Sequence, residues 1–154
     1  MPCNAVAQQT AKAAISTSLL LDNPVAIEAL ARQLRIAFGG PVRVGGDNWI
    51  DAFRQHAEPQ APFASLTGQA GLFFGSEAAT LEVRRTGEIV LRQGWYAYKH
   101  RMPADQLQAA MAELVNMVNG LLFQGQVRQL VGQQERIVSE QRASNGALVL
   151  HVEL

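Results

Sequence analysis

The sequence predicts an α+β fold, with an antiparallel or mixed sheet of about five to six strands and two main helices packed on one face. Most strand candidates follow one another as hairpins, and the helical patterns are inserted between them. A parallel, doubly wound sheet would instead require regular alternation of strands and helices. The 154 residues suit one domain of ordinary size, so we expect a single α+β domain over residues 1–154.

The first element is predicted as a strand between Ala11 and Leu19. Apolar and polar residues alternate along this stretch, and the β-branched residues Ile15 and Thr17 lie in its second half. A period of two with β-branched residues is typical of a strand that is buried on one face.

A helix is predicted next, because Asn23 is a good N-cap and Pro24 suits the first helical position. Gly39 and Gly40 predict its end, since glycine readily adopts the left-handed conformation that terminates helices. Its apolar stripe consists of Ile27, Leu30, Leu34 and Phe38.

The middle of the chain is predicted as short elements around a loop. Residues 42–44 form a strand candidate, and Asp47 or Asn48 can cap a short helix. Residues 58–69 lack a sustained period and are predicted as a loop, and residues 71–75 as a strand. The short helix would place Trp49, Ile50 and Phe53 on one face.

A hairpin follows, and its register can be derived from burial. A three-residue loop of Arg85, Thr86 and a left-handed Gly87 pairs Val83 with Ile89 and Leu81 with Leu91. A two-residue turn would place these apolar sets on opposite faces of the hairpin. Burial therefore favours the three-residue loop.

The longest helical pattern begins at Pro103. Gly125 can break it into two consecutive helices, and Gly132 is a candidate terminator. Its apolar stripe is widened by the adjacent pairs Met117/Val118 and Leu121/Leu122. Either the same helix of a second subunit or burial within one monomer would account for that width.

The chain ends in a second predicted hairpin, with Asn145 and Gly146 as a two-residue type I′ turn. That turn pairs Ala143 with Leu148, Gln141 with Leu150 and Glu140 with His151. One face then carries Leu148, Leu150, Val152 and Leu154.

The candidate binding surface lies in residues 84–101, where basic side chains and aromatic rings are interleaved. Such rings and cations can form a protein interface, or they can stack bases while the cations meet phosphates. Ordinary cross-strand packing would also explain them. Besides the loop residue Arg85, the candidate residues are Arg84, Arg92, Trp95, Tyr96, Tyr98, Lys99, His100 and Arg101.

The remaining composition favours a binding role over catalysis. Basic and acidic residues number 13 each, so no net field attracts nucleic acid. We expect no cofactor and no metal site, because Cys3 is the only cysteine and the histidines are dispersed. Asp51 and His56 can share a helix face, which leaves a small enzyme site there as an alternative.

The functional expectation is a non-catalytic binding or assembly module that acts through protein contacts, with itself or another protein as partner. Apolar residues make up 48% of the chain and charged residues only 17%, which favours a surface covered by another chain. Single-stranded nucleic-acid binding through residues 84–101 is the main alternative. No signal peptide or membrane span is recognisable, so we expect a cytoplasmic protein without a membrane partner.

Overall fold

A computed structural model of the chain describes residues 8–46, 66–76, 79–93, 104–134, 136–142 and 146–153. It has the predicted α+β architecture, with an antiparallel five-stranded sheet, a separate hairpin and three helices in the described ranges. The elements are β1 (Gln8–Lys12), α1 (Ser18–Leu21), α2 (Pro24–Phe38), β2 (Arg43–Gly45), β3 (Gly71–Gly75), β4 (Ala79–Arg84), β5 (Glu88–Gln93), α3 (Ala104–Gln134), β6 (Arg136–Arg142) and β7 (Leu148–Glu153).

The five-stranded sheet has the order β1-β5-β4-β3-β2, and every neighbouring pair is antiparallel. Strands β2 to β5 form a meander, and β1 joins its far edge beside β5. The predicted strands at residues 42–44 and 71–75 are confirmed as β2 and β3. The short helix predicted after residue 46 and most of the predicted loop at 58–69 lie outside the described residues.

The β4–β5 hairpin has the predicted register. Val83 pairs with Ile89 and Leu81 with Leu91, and Gly87 has a φ of 97°. All four paired side chains are buried in the core. The requirement to bury both apolar sets on one face therefore selected the three-residue loop, as expected.

Helix α2 begins and ends where the sequence predicts. The Asn23 side chain accepts a hydrogen bond from the backbone N–H of Val25, and Pro24 is the first helical residue. Gly39 is left-handed at the C-cap, with a φ of 73°. Ile27, Leu30 and Leu34 of the predicted stripe are fully buried, and Phe38 is partly buried against the core.

The prediction of one strand between Ala11 and Leu19 holds only for Ala11 and Lys12 and is wrong from residue 13 onwards. Strand β1 ends at Lys12, and α1 is helical from Ser18 to Leu21. Leu20 and Leu21 are both fully buried. Consecutive residues of a strand point to opposite faces, so burying both against one core favours a helical turn.

Helix α3 is one continuous helix of 31 residues, so the alternative of two helices is wrong, as is the end predicted at Gly132. A glycine inside a helix costs only about 1 kcal/mol relative to alanine, which packing readily offsets. Gly125 also permits close packing on α1, because a Cβ there would lie 3.4 Å from the Cβ of Leu19.

The register predicted for the C-terminal hairpin is wrong by one residue. Arg142 pairs with Leu148 and Gln141 with Val149, so the connection is longer than a two-residue turn. Gly146 does have a positive φ, of 89°. The Gln124 side chain donates a hydrogen bond to the carbonyl oxygen of Gly146, and a Cβ at Gly146 would collide with the Gln33 side chain. Contacts with α2 and α3 therefore constrain this loop.

The hydrophobic core lies between one face of the sheet and the helices, and α2 and α3 both contribute to it. None of the helices in the described ranges combines the length and the apolar content needed to cross a membrane. The largest fully buried side chains are Phe74, Leu20, Leu21, Ile27, Leu30, Leu34, Leu72, Leu81, Ile89, Leu91 and Leu107.

Candidate functional site

Two arginines of the candidate binding surface, Arg84 and Arg92, lie on the sheet face opposite the core, which we call the polar sheet face. Alternation along β5 places Arg92 on this face, since Ile89 and Leu91 point into the core. Arg84 of β4 lies on the same face, next to the hairpin loop. Arg92 thus lies on the face away from the core, as the predicted register implies, but its side chain is only 13% exposed. Outside the described residues lie Trp95, Tyr96, Tyr98, Lys99, His100 and Arg101.

Both arginines bind acidic side chains of the same two strands, in a cluster that we call the ion-pair network. Arg92 Nη1 lies 2.7 Å from Glu82 Oε1, and Arg84 Nε lies 3.1 Å from Glu82 Oε2. Arg84 Nη1 also lies 3.0 Å from Glu88 Oε2. The network thus consists of two cations and two anions, and its charges cancel.

Glu82 is the centre of this network and its most deeply buried member. Its side chain is 9% exposed, against 13% for Arg92 and 36% for Arg84. The hydrogen bonds to Glu82, and the attraction of Glu82 and Glu88, raise the pKa of the Arg84 guanidinium above its ordinary value. Removing the Glu82 charge would leave Arg92 poorly solvated and unpaired, which is strongly destabilising.

Arg85, in the loop of the same hairpin, is also paired within the chain. Its Nη2 lies 2.9 Å from Asp22 Oδ1 and its Nη1 lies 3.2 Å from Asp22 Oδ2, a bidentate arrangement. Its other bonds go to the carbonyl oxygen of Gln69 and the hydroxyl of Ser18. The hydrogen bonds between Arg85 and Asp22 lower the pKa of Asp22 and raise that of Arg85. Arg85 thus ties the hairpin loop to the segment between α1 and α2.

One buried polar atom of the polar sheet face stays outside this pairing. Thr80 is fully buried and stands opposite Arg92 in the register, yet within the described ranges its Oγ1 has no hydrogen-bond partner. Thr17, by contrast, is 1% exposed, and its Oγ1 donates a 2.7 Å hydrogen bond to the carbonyl oxygen of Arg84. A buried hydroxyl without a partner costs stability.

A second candidate surface lies on α3 and was not identified from the sequence. Phe123 is 58% exposed and Leu130 is 55% exposed. They are seven residues apart, and the half-buried Val127 lies between them at the fourth position, so all three follow one side of the helix. We call this set the outer stripe. The spacing of three and four residues between its members could have revealed the outer stripe in the sequence. Its exposure to solvent, however, depends on how α3 packs against the rest of the protein.

The apolar pairs that suggested a second subunit prove to be part of the monomer's own core. Val118 and Leu122 are fully buried, Leu121 is 4% exposed, and Met117 packs partly buried against them. Burial within one chain therefore explains the wide stripe on α3. The outer stripe lies on the other side of the helix and is not part of that core.

A cleft separates the C-terminal half of α3 from the segment 14–22. Its volume is about 600 Å³, and Gly125 packs against Leu19 beside it. That volume falls within the roughly 300–1,000 Å³ that ligand pockets occupy. The residues that line it are Ala14, Ile15, Ser16, Ser18, Leu19, Asp22, Gln126 and Gln129.

The alternative enzyme site is not placed by the structure, because Asp51 and His56 lie outside the described residues, as does Cys3. In the described ranges, no group of three or more histidine, cysteine, aspartate or glutamate side chains could hold a metal ion.

Comparison with known proteins returned no similarity. No model of a protein family matches the chain, and neither the curated proteins nor the solved structures contain a significant match.

Proposed function

We propose that this protein is a non-catalytic assembly module that associates with a second copy of itself through the outer stripe of α3. The observation that carries the proposal is the exposure of Phe123 and Leu130, at 58% and 55%, on the same side of one helix. Large apolar side chains aligned on a helix surface favour contact with another apolar surface.

The absence of charge along this part of α3 supports the same proposal. Between Glu113 and Arg128 the helix carries no acidic or basic residue. A helix face that stays in water normally carries charged side chains, which keep it soluble and separate from its neighbours. This stretch has asparagine, glutamine and small residues around the apolar positions instead.

A second copy suits this surface better than a charged partner does. In a two-fold symmetric interface, the same patch meets itself, so any charge in the patch would face a like charge. The outer stripe contains none. The spacing of three and four residues between its members also matches the spacing with which paired helices interdigitate. With 31 residues, or about 46 Å, α3 is long enough for an extended contact.

The test is light scattering coupled to size-exclusion chromatography on the wild type and on Phe123→Glu. We expect a wild-type dimer and a monomeric variant, since two glutamates would face each other in a symmetric interface. Ile36→Glu is the matched control, because Ile36 is the most exposed of the large apolar side chains in the described ranges, at 73%, and lies on α2. The control should remain dimeric, and both variants should retain the wild-type melting temperature.

Two results would contradict the proposal. A wild type that stays monomeric at concentrations of about 1 mM would show that self-association is too weak to support the proposed assembly. A control that dissociates as completely as Phe123→Glu would show that the contact lies elsewhere.

Recording absorbance at 260 nm in the same experiment tests the nucleic-acid alternative. Excess absorbance that high salt removes would identify bound nucleic acid, since phosphate contacts are salt-sensitive. The pairing of Arg84, Arg85 and Arg92 with Glu82, Glu88 and Asp22 favours a clean protein spectrum, because those cations are already neutralised.

A further inference from the structure

The cleft between α3 and the segment 14–22 has the chemistry of a binding site for an uncharged ligand. One wall carries the hydroxyls of Ser16 and Ser18, and the other carries the carboxamides of Gln126 and Gln129. The one carboxylate in the lining, Asp22, is paired with both terminal nitrogens of Arg85. In the part of the lining that the structure describes, the walls therefore offer neutral hydrogen-bonding groups and no unpaired charge.

We propose that this cleft binds an extended, uncharged peptide segment of a partner protein. Each carboxamide has both a donor and an acceptor, as does each peptide unit of an extended chain. One glutamine can therefore bond an N–H and a C=O of the same bound segment. Ile15 and Leu19, which are half-buried in the lining, offer apolar contact to small side chains of that segment.

The spacing of the two glutamines fits this ligand. Residues three apart on a helix have Cβ atoms about 5–6 Å apart. Alternate residues of an extended chain lie about 6.6–6.8 Å apart on the same side. Glutamine side chains have enough rotatable bonds to span the difference, so Gln126 and Gln129 can each meet one repeat of the backbone.

Two other ligand classes fit the lining less well. Within the described part of the chain, no aromatic residue lines the cleft, so a sugar ring has no flat surface on which to stack. Among the described residues no basic residue lines the cleft either, and the guanidinium of Arg85, which bonds Ser18 and Asp22 of the lining, is already paired with a carboxylate. The peptide backbone needs neither of these groups.

This site can be tested separately from the proposed assembly. By helical periodicity, Gln129 lies on the side of α3 that carries the core residues Met111 and Val118, and the outer stripe faces away from it. Gln126 lies between the two sides, three residues from Phe123. Peptide binding can therefore be measured on the Phe123→Glu variant as well as on the wild type. Loss of assembly and loss of peptide binding are thus separate results.

The experiment is a nuclear magnetic resonance titration with a capped tripeptide, N-acetyl-Ala-Ser-Ala-amide. We expect concentration-dependent shifts of the side-chain amide signals of Gln126 and Gln129 and of the backbone signals of Ser16 and Ser18. The Kd should be on the order of 1 mM, as suits a small ligand of this size. Trehalose and sodium sulfate serve as the polyol and anion probes and should leave these signals unchanged.

The double variant Gln126→Ala/Gln129→Ala should weaken tripeptide binding at least about fivefold. Alanine is the best helix former, so this variant should retain the fold. Gln108→Ala is the matched control, since Gln108 is exposed on α3 and does not line the cleft. Unshifted cleft signals at saturating tripeptide, or equal shifts with trehalose or sulfate, would overturn the proposal. An unchanged affinity in the double variant would do the same.

Discussion

The polar sheet face and the outer stripe of α3 differ in whether the chain itself satisfies their side chains. On the polar sheet face, Glu82 pairs with both Arg84 and Arg92 at 3.1 Å and 2.7 Å. On the outer stripe, Phe123 and Leu130 remain more than half exposed. Groups that already have partners gain little from a ligand, whereas exposed apolar groups gain from being covered.

In its described part, the segment rich in arginine and aromatic residues has its arginines paired within the chain. The acids that neutralise Arg84, Arg85 and Arg92 come from the same hairpin and from Asp22 beyond α1. Asp22 in particular lies 63 positions from Arg85 in the sequence. A local count of charge therefore cannot reveal the pairing of Arg85 with Asp22.

The substitution with the largest expected effect tests whether the stability of the protein depends on the ion-pair network of the polar sheet face. Glu82→Gln should lower the free energy of unfolding by about 3 kcal/mol, since it leaves the nearly buried Arg92 without its counter-charge. Glu28→Gln is the control, because Glu28 pairs with Arg32 in an exposed helix pair and should cost at most about 0.5 kcal/mol. Urea denaturation measures both. Equal effects would show that the network is as dispensable as the exposed pair.

The unpaired hydroxyl of Thr80 gives a smaller effect of the opposite sign. Thr80→Val keeps the shape and removes a buried group without a partner, so it should raise the free energy of unfolding by about 1 kcal/mol. Thr17→Val removes a hydroxyl that does have a partner, the carbonyl oxygen of Arg84. This substitution should lower the free energy of unfolding by about 1 kcal/mol. Urea denaturation measures the free energy of unfolding of both variants. A loss of stability in both would contradict the interpretation that the Thr80 hydroxyl is buried without a partner.

Substitutions of two glycines of α3 compare the exposed side of the helix with the side that packs on α1. A Cβ at the exposed Gly120 meets nothing within 4 Å, so Gly120→Ala should raise the free energy of unfolding by about 0.5–1 kcal/mol through helix propensity. At Gly125 the added Cβ would lie 3.4 Å from that of Leu19, so Gly125→Ala should gain less. Thermal unfolding of the two variants compares them directly. A larger gain at Gly125 would contradict close packing between α3 and α1.

The smallest expected effect is a dependence of the free energy of unfolding on pH. Because Arg85 lowers the pKa of Asp22 from 3.8, ionised Asp22 stabilises the folded protein above about pH 4, and this contribution is lost as the pH falls through the lowered folded pKa. Asp22→Asn should therefore be slightly less stable than wild type at pH 7. The difference should shrink as the pH falls from 4 towards 2, in urea denaturation at each pH. A difference that is constant over this range would contradict the role of the ion pair.

The two hairpins show how much of the fold could be predicted from sequence. In β4–β5, only one register buries Leu81, Val83, Ile89 and Leu91 on one face, so the pattern itself decides. In β6–β7, the Asn145–Gly146 turn signal was local, and the observed register is shifted by one residue. The hydrogen bond from Gln124 to Gly146 and the close approach of Gln33 come from the helices, which local turn chemistry does not include.

Less of the candidate site than of the fold could be predicted from the sequence. The positions of Arg84 and Arg92 on strands β4 and β5 followed from the pattern, but their pairing with Glu82 depended on the final side-chain geometry. The seven-residue spacing of Phe123 and Leu130 is visible in the sequence. Whether that side of α3 faces the core or solvent is a property of packing, and the sequence alone suggested a different pair of positions.

The sequence by itself determined the α+β class, the limits of α2 and the register of the first hairpin, because capping, glycine geometry and one-sided burial act over a few neighbouring residues. Only the tertiary structure decided that α3 continues through Gly125, that residues 18–21 are helical, and that the sheet arginines are neutralised. The first two outcomes depend on contacts between residues that are distant in the chain, and the third depends on the folded geometry of the β4–β5 hairpin. Packing at such contacts outweighs a local propensity of about 1 kcal/mol or less.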